Sequence, residues 1–266
     1  MEYDHRRHAG NAGDLWKHLV LAEVADHLFR TKKIWVYVES HVGYPEYRLS
    51  AGGEWEGGVG RCWFNREELA KYPYFQILSD FNPIGLERYP GSAGIVLKLA
   101  KRRGLALRAE LWDSSPEVER AWSLREKGPD MPGPHFHLGD GFSGVGKLMS
   151  ELDEPALLLV DSPYISEGDA ERVEKLIFGS AEAGWVTLSW QTSDLEPSLN
   201  PACDFREFKL YFEEAGLACG SMKGATMILA WDAESFPDQK INDLIERLEG
   251  IEKDFPKIAG RMSESF

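Results

Sequence analysis

The stretch Ala156-Leu157-Leu158-Leu159-Val160-Asp161-Ser162-Pro163-Tyr164 decides the fold. Its apolar residues follow one another without polar alternation, which is typical of a strand covered on both faces in the middle of a parallel sheet. The ligand crevice of an open α/β sheet lies at the carboxyl ends of the strands. We therefore predict that Asp161, Ser162 and Tyr164 enter a functional site where this strand ends. An ordinary strand exit through Asp and Pro is the structural alternative.

Strands and helices alternate on both sides of that stretch, which predicts an α/β fold with a doubly wound sheet. Further strands are predicted at 34–38, 105–111, 135–138, 185–190, 217–221 and 225–231. Helices are predicted at 13–30, 92–103, 116–125, 142–152, 170–180, 205–215 and 238–251. The first helix has Asp14 as its expected cap, and the second strand is expected to end near Glu110.

Residues 45–88 interrupt this alternation. Glycines such as Gly52, Gly57 and Gly60 break the pattern, and aromatic residues such as Trp55 and Tyr74 are frequent. A structureless loop of that length is uncommon in a compact domain. We therefore predict a single domain over 1–266, with a small helical subdomain inserted at about 45–88.

The charge of the chain bears on its partners. A net charge of −14 opposes indiscriminate phosphate binding and is the main argument against a nucleic-acid substrate. The charge is uneven, however, because Lys101-Arg102-Arg103 forms a basic cluster. Basic residues collect at helix ends for dipole reasons, and that explanation suffices for the cluster.

The cysteines and the hydropathy pattern indicate the compartment. Cys62, Cys203 and Cys219 are widely spaced without a CxxC pair, which argues against a disulfide framework and a zinc site. No stretch approaches the roughly 18 apolar residues needed to cross a bilayer. We therefore expect a cytoplasmic protein without a membrane partner.

Three apparent motifs match known functional patterns only incompletely. Residues 139–144 match GxGxxG, but the dinucleotide fingerprint normally follows the first strand. Residues 141–147 match the start of a phosphate loop, but Leu148 stands where magnesium binding needs Ser or Thr. His5, His8 and His18 lack a recognisable ligand spacing, so we predict no metal.

Several separate stretches together resemble the RlmJ family. They are His8-Ala9-Gly10-Asn11 with Asp14, Lys17 and His18, His41-Val42-Gly43, Tyr89-Pro90-Gly91-Ser92, Glu110, Asp140-Gly141-Phe142 and Asp161-Ser162-Pro163-Tyr164. The resemblance extends from Tyr3 to about Trp231. That family methylates an adenine N6 of 23S ribosomal RNA with S-adenosylmethionine, and its members have also been labelled external-DNA catabolism proteins. The resemblance implies a Rossmann-like class I methyltransferase sheet with a small helical insertion after the first strand.

The resemblance also implies roles for individual residues. The cofactor would contact His18, His41, Ser92, Glu110, Asp140 and Gly141. Asp161 would be catalytic, with Ser162 and Tyr164 beside it, while Tyr3 and Lys17 would face the ribosomal RNA. Glu110 also has a physical argument, because a carboxylate that ends the second strand commonly binds a ribose diol in such folds.

The chain departs from the family pattern at two places in the expected site. Asp-Ser-Pro-Tyr replaces Asp-Pro-Pro-Tyr at 161–164, and Tyr44-Pro45 follows Gly43 where the family has small residues. Proline removes an amide and fixes φ, whereas a second glycine lets a backbone approach a cofactor closely. Two alternatives therefore stand beside adenine methylation: a divergent methyltransferase with another substrate, and a non-catalytic nucleic-acid-binding relative.

Overall fold

A computed structural model describes residues 5–31, 34–124, 133–164, 166–195, 203–234, 236 and 238–260. The strands in this part are β1 Val36–Glu39, β2 Glu46–Arg48, β3 Arg88–Pro90, β4 Arg108–Asp113, β5 His135–Leu138, β6 Ala156–Val160, β7 Val186–Thr192, β8 Asp204–Tyr211 and β9 Gly224–Trp231. The α-helices are α1 His5–His8, α2 Ala12–Arg30, α3 Val59–Trp63, α4 Pro73–Phe81, α5 Ser92–Arg102, α6 Pro116–Ser123, α7 Gly141–Glu151, α8 Asp169–Glu182 and α9 Asp238–Gly260. Short 3-10 helices lie at Glu54–Glu56 and Glu68–Lys71.

Within the described residues the central sheet has seven strands in the order β5-β4-β1-β6-β7-β9-β8. The strands from β5 to β7 are parallel, whereas β9 is antiparallel to both β7 and β8. Every residue of β1 and β6 is buried, as expected for strands covered on both faces. The predicted Rossmann-like methyltransferase sheet is confirmed, and β6 has the predicted bounds.

Helices cover both faces of this sheet. On one face, α2, α4, α5 and α9 contribute to a large apolar core, and α2 is buried along nearly its whole length. The indole of Trp16 donates to the carbonyl of Phe208 at 3.1 Å, which ties α2 to β8. On the other face, α7 and α8 bury Val145, Val173 and Ile177 against the sheet.

The segment between β1 and α5 contains the predicted helices and also a small sheet that the sequence analysis did not predict. Strand β2 pairs antiparallel with β3, with Tyr47 opposite Tyr89. Helices α3 and α4 lie between these strands, and their aromatic residues Tyr74 and Phe75 are buried. The division into one domain with an inserted subdomain stays a prediction.

The strand predicted at 225–231 is confirmed as β9, but two other predictions for the last part of the sheet were wrong. The chain forms strand β8 where a helix at 205–215 was predicted, and no strand occupies 217–221, which lies within the described residues. Phe205, Phe208 and Phe212 have the spacing of a helical face, but Phe208 also alternates with Leu210 in the period of a strand. Pairing with β9 over the whole of β8 decides between these two periods.

Two termini also differ from the predictions. Asn11 caps α2, because its side chain accepts the amide of Asp14 at 2.9 Å, so Asp14 is not the cap. Strand β4 continues beyond Glu110 to Asp113, in register with Leu138 of β5. In the described ranges, no helix combines the length and the apolar character required to cross a membrane.

Candidate active site

The site begins at the carboxyl end of β6, where Lys17 of α2 meets Asp161. The Lys17 ammonium lies 2.6 Å from Asp161 Oδ2 and 2.8 Å from Asp14 Oδ1. Burial alone would lower the pKa of Lys17, but the carboxylates of Asp14 and Asp161 raise it above its usual value. Burial would likewise raise the pKa of Asp14, but Lys17 lowers it. Lys17 is therefore a charged bridge between α2 and the end of β6.

A buried carboxyl group ends β1 beside this ion pair. Glu39 accepts hydrogen bonds from the hydroxyl of Tyr37, at 2.6 Å, and from Ser92 at the start of α5. Burial raises the pKa of Glu39 to about 8, although both hydrogen bonds oppose the rise. The predicted site residue Ser92 is therefore fixed by Glu39, which the sequence analysis did not single out.

His18 presents a free donor in this region. Tyr74 donates to the hydroxyl of Tyr89 at 3.2 Å, and the Tyr89 hydroxyl lies 2.8 Å from His18 Nδ1. With Tyr89 donating its hydrogen to Nδ1, the ring hydrogen of the neutral imidazole is on Nε2, and this is the tautomer that we assign. Burial lowers the pKa of His18 to about 3 with help from Lys17, so the ring is neutral. In the described part of the chain, Nε2 is buried without a hydrogen-bond partner.

His41 and Gly141 lie close together through Ser40. His41 Nδ1 is 2.9 Å from the Ser40 hydroxyl. The centres of the His41 and Phe142 rings are 4.8 Å apart, and the two rings are arranged edge to face. A Cβ on Gly141 would lie only 1.7 Å from the Ser40 carbonyl oxygen. The start of α7 can approach the end of β1 this closely only because residue 141 is glycine.

Asp140 is the N-cap of α7 and accepts the Ser143 hydroxyl at 2.6 Å. Its carboxylate also pairs with Arg172 of α8, whose guanidinium lies 4.1 Å from the centre of the Phe142 ring. Its side chain is 46% exposed, so the carboxylate stays accessible at the mouth of the site.

Glu110 does not lie where the sequence analysis expected it. Its carboxylate is three residues before the end of β4 and is almost fully buried. It accepts from Arg108 Nε at 2.6 Å and lies 2.9 Å from His135 Nδ1 and 2.6 Å from His137 Nε2. Burial alone would raise the pKa of Glu110, but these three partners lower it. Three protein groups thus already use most of the acceptor capacity of this carboxylate.

Asp113 instead ends β4 at the site. Its Oδ2 accepts the amide of Gly43, in the turn after β1, at 3.0 Å, and Oδ1 accepts the amide of Ser115 at 2.8 Å. Because a carboxylate can accept about four hydrogen bonds, Asp113 keeps acceptor capacity toward the site. The sequence did contain a signal that β4 ends at Asp113, because the helix cap Ser115 and the first helical residue Pro116 follow closely.

The loop after β6 is strained at Tyr164. With φ of +49°, Tyr164 is the one non-glycine residue of the described ranges that has a positive φ. Such a conformation is costly for a bulky residue and marks a constrained site. The Ser162 hydroxyl accepts the Tyr164 amide at 3.3 Å, and the Tyr164 hydroxyl donates to the Trp190 carbonyl at 3.4 Å. Ser162 therefore supports the turn through a contact that proline lacks.

The second departure from the family pattern is also accommodated. Gly43 has φ of +63°, and a Cβ there would lie 2.7 Å from the Tyr47 hydroxyl oxygen. The Tyr44 amide donates to that hydroxyl at 3.1 Å, while the Pro45 carbonyl accepts the Gly91 amide at 3.1 Å. Tyr44-Pro45 thus leads the chain from the turn into β2 and against the start of α5.

The opening HAGN motif fastens α2 to the inserted segment. Glu54 accepts from Asn11 Nδ2 at 3.1 Å and lies 2.9 Å from His8 Nδ1. The Gly10 amide donates to Asp14 at 3.0 Å, which holds this carboxylate beside Lys17. His8 and Asn11 therefore position the start of α2.

The structure brings together most of the predicted site residues and adds others. Nine of them belong to elements that meet at the carboxyl edge of the sheet: Lys17, His18, His41, Ser92, Asp140, Gly141, Asp161, Ser162 and Tyr164. Tyr3 lies outside the described residues. Asp14, Glu39 and Asp113 are residues that sequence reasoning missed. No group of three or more His, Cys, Asp or Glu in the described ranges is arranged to hold a metal ion, and the absence of a metal stays a prediction.

Two known proteins have sequences similar to this chain. The "Ribosomal RNA large subunit methyltransferase J" of Haemophilus influenzae is 30% identical over 185 residues, covering 66% of this chain and 64% of that protein. Its namesake in Escherichia coli is 27% identical over 180 residues, covering 65% and 62%. The match therefore spans less than two thirds of the length of these relatives.

A solved structure and a family match complete the comparison. The crystal structure of protein LPL1258 from Legionella pneumophila has a TM-score of 0.70 at 19% identity and covers 94% of both chains, which supports the fold. Residues 32–183, more than half of the chain, match the family described as "Ribosomal RNA large subunit methyltransferase D, RlmJ". The chain belongs to this ribosomal RNA methyltransferase family.

Proposed function

We propose that this protein transfers a methyl group from S-adenosylmethionine to the N6 amine of an adenine in 23S ribosomal RNA, in the cytoplasm. Family membership supports methyl transfer to ribosomal RNA, and the relatives are named for that activity. The observation that carries the proposal is the carboxyl end of β6, where Lys17 holds Asp161 beside the strained Tyr164.

Adenine N6 is a poor nucleophile because its lone pair is delocalised into the ring. Lys17 bonds Oδ2 of Asp161, so that Oδ1 is the oxygen available to one amine hydrogen. The Ser162 carbonyl accepts the other hydrogen, and the Tyr164 ring stacks on the base. These contacts hold the nitrogen where its lone pair can turn toward the electrophilic methyl group, which the bound cofactor supplies.

The residues around β1 fit the polar groups of the cofactor. The orphan donor at His18 Nε2 suits a carboxylate, and a carboxylate is the acceptor at the methionine end of S-adenosylmethionine. Asp140 and the close-packed backbone of Gly141 would hold the adenine, and His41 would also contact the cofactor. We assign the ribose diol to Asp113 rather than to Glu110, because Asp113 ends its strand and keeps acceptor capacity.

The reassignment predicts different effects for the two carboxylates. Asp113→Asn is expected to weaken S-adenosylmethionine binding roughly 10- to 100-fold, the loss typical of a charge-assisted hydrogen bond. Glu110→Gln is expected to change the affinity by less than about threefold, since its partners belong to the protein. Calorimetric titration with S-adenosylmethionine and its demethylated product measures both. A larger loss for Glu110→Gln than for Asp113→Asn would restore the original assignment.

The activity itself is tested with unmodified RNA. Purified protein is incubated with methyl-labelled S-adenosylmethionine and protein-free 23S transcript, with 16S transcript as the control, and digested nucleosides are identified by mass spectrometry. We expect N6-methyladenosine at a single adenine of the 23S transcript. A methyl group on another nucleotide would favour the divergent methyltransferase. Cofactor binding without methylation of either RNA would favour the non-catalytic relative.

A further inference from the structure

A concave cavity of about 470 Å³ lies at the opposite end of α2 and α5 from Asp161. The helical rise places Arg30 about 20 Å from Lys17 along α2. Positively charged side chains from separate elements line this cavity: Arg30 of α2, Lys71 just before α4, Arg102 and Arg103 at the end of α5, and Arg247 of α9. The cavity thus concentrates positive charge in a chain whose net charge is −14.

Helix-end chemistry explains only part of this cluster. Arg30 and Arg102 lie in the last turns of α2 and α5, where positive charge complements the helix dipole. Lys71 likewise ends the 3-10 helix Glu68–Lys71, but Arg247 lies in the middle of α9. Helix-end chemistry therefore does not account for Arg247, nor for the meeting of four separate elements at one cavity.

Buried carboxylates orient the guanidinium groups. Asp26 accepts from Arg103 Nε at 2.9 Å, and Glu23 pairs with Arg247 at 2.5 Å. Asp26 and Glu23 are almost fully buried, whereas the side chains of Arg103 and Arg247 are 43% and 39% exposed. Because a guanidinium has five N–H donors, each arginine keeps donors beyond those used by its carboxylate.

We propose that this cavity binds phosphate groups, either from the backbone of the RNA or from a free phosphate compound. Planar guanidinium forks match phosphate oxygens, and several forks around one cavity suit more than one phosphate. The candidate active site by contrast contains the carboxylates of Asp113, Asp140 and Asp161, which disfavour phosphate nearby. The RNA source rests on the proposed function, whereas phosphate binding itself does not.

The variants are chosen to spare the buried carboxylates. Removing Arg103 or Arg247 would leave Asp26 or Glu23 without a partner and destabilise the fold. The test therefore uses the double variant Lys71→Gln/Arg102→Gln. Lys71 lies over the Tyr72 ring, and Arg102 pairs with the half-exposed Asp80. Arg206→Gln removes one positive charge from an exposed position on β8 and is the control.

Calorimetric titration with inorganic pyrophosphate at low salt tests the cavity directly. We expect saturable binding to the wild type and to Arg206→Gln. The affinity of the double variant is expected to be lower by roughly tenfold or more. Absence of binding to the wild type, or equal binding to all three proteins, would overturn the proposal. The titration needs no methyl transfer, so failure of the proposed activity would be seen separately.

Titration with RNA separates the two sources of phosphate. A short RNA contains little more than the target nucleotide. A longer RNA extends past that nucleotide by more than the roughly 20 Å that separates the candidate active site from the cavity. If only the longer RNA loses affinity in the double variant, together with a smaller salt dependence, the cavity holds RNA backbone. If pyrophosphate alone loses affinity, the ligand is a free phosphate compound.

Discussion

Asp161→Ala is expected to reduce methyl transfer by roughly 10²- to 10⁴-fold, the range for a positioned side chain that contacts the reacting group. The variant removes the acceptor that orients the target amine but none of the residues assigned to the cofactor. Affinity for S-adenosylmethionine is therefore expected to stay within about threefold of the wild type. Single-turnover methyl transfer measures the first quantity and calorimetric titration the second.

The matched control for this variant is Asp153→Ala. Asp153 is an exposed carboxylate near the opposite end of β6, so its loss is expected to leave methyl transfer unchanged. Thermal unfolding of both variants shows whether either substitution destabilises the fold. A well-folded Asp161→Ala protein that keeps the wild-type rate would exclude Asp161 from the reaction.

Lys17→Met is expected to lower the free energy of unfolding at pH 7 by about 2–4 kcal/mol. Breaking a buried ion pair leaves uncompensated charge, which costs roughly 3–5 kcal/mol when both partners are fully buried. The lower figure applies because Asp14 and Asp161 are each 22% exposed. Urea unfolding of the variant and the wild type measures the difference. The exposed pair of Lys175 with Glu171 supplies the control, since Lys175→Met is expected to have almost no effect.

The pH dependence of that difference has a defined sign. The pKa of Asp14 is lower in the folded protein, so its contribution is present above the unfolded pKa of about 4 and is lost as the pH falls. The pKa of Lys17 is raised, so its contribution is present below the unfolded pKa of about 10.4 and is lost at higher pH. The stability difference should therefore be largest between about pH 5 and 10 and should shrink toward pH 3. An equal difference at pH 3 and pH 7 would assign the loss to packing.

Much of the sheet could be predicted from the sequence because its buried strands carry uninterrupted apolar residues. Strand β6 was predicted with its observed bounds, and β1 is likewise buried along its whole length. Strand β8 is partly exposed and lies at an edge, so its apolar spacing fits a helix as well as a strand. Only its pairing with β9 distinguishes the two, and that pairing is a tertiary contact.

The candidate site shows the same division. Residues carried by motifs, such as Asp161 and His18, were predicted because their neighbours in sequence form a pattern. Glu110 was predicted as the ribose ligand from the family resemblance and from the strand end expected near it, whereas β4 runs to Asp113. Glu39 was missed because its partner Ser92 lies far away in sequence and meets it only in the folded chain.

The position of β1 at the centre of the sheet has a consequence for folding. Val36 pairs with Arg108 and with Ala156, partners that lie roughly 70 and 120 residues further along the chain. Such long-range closure slows folding, and a nascent chain exposes the apolar β1 before either partner strand has been synthesised. Asp161 directly follows β6, so the strand that completes the centre of the sheet also carries the residue to which we assign the target amine. A partly synthesised chain that ends before β6 therefore lacks both the central strand beside β1 and Asp161.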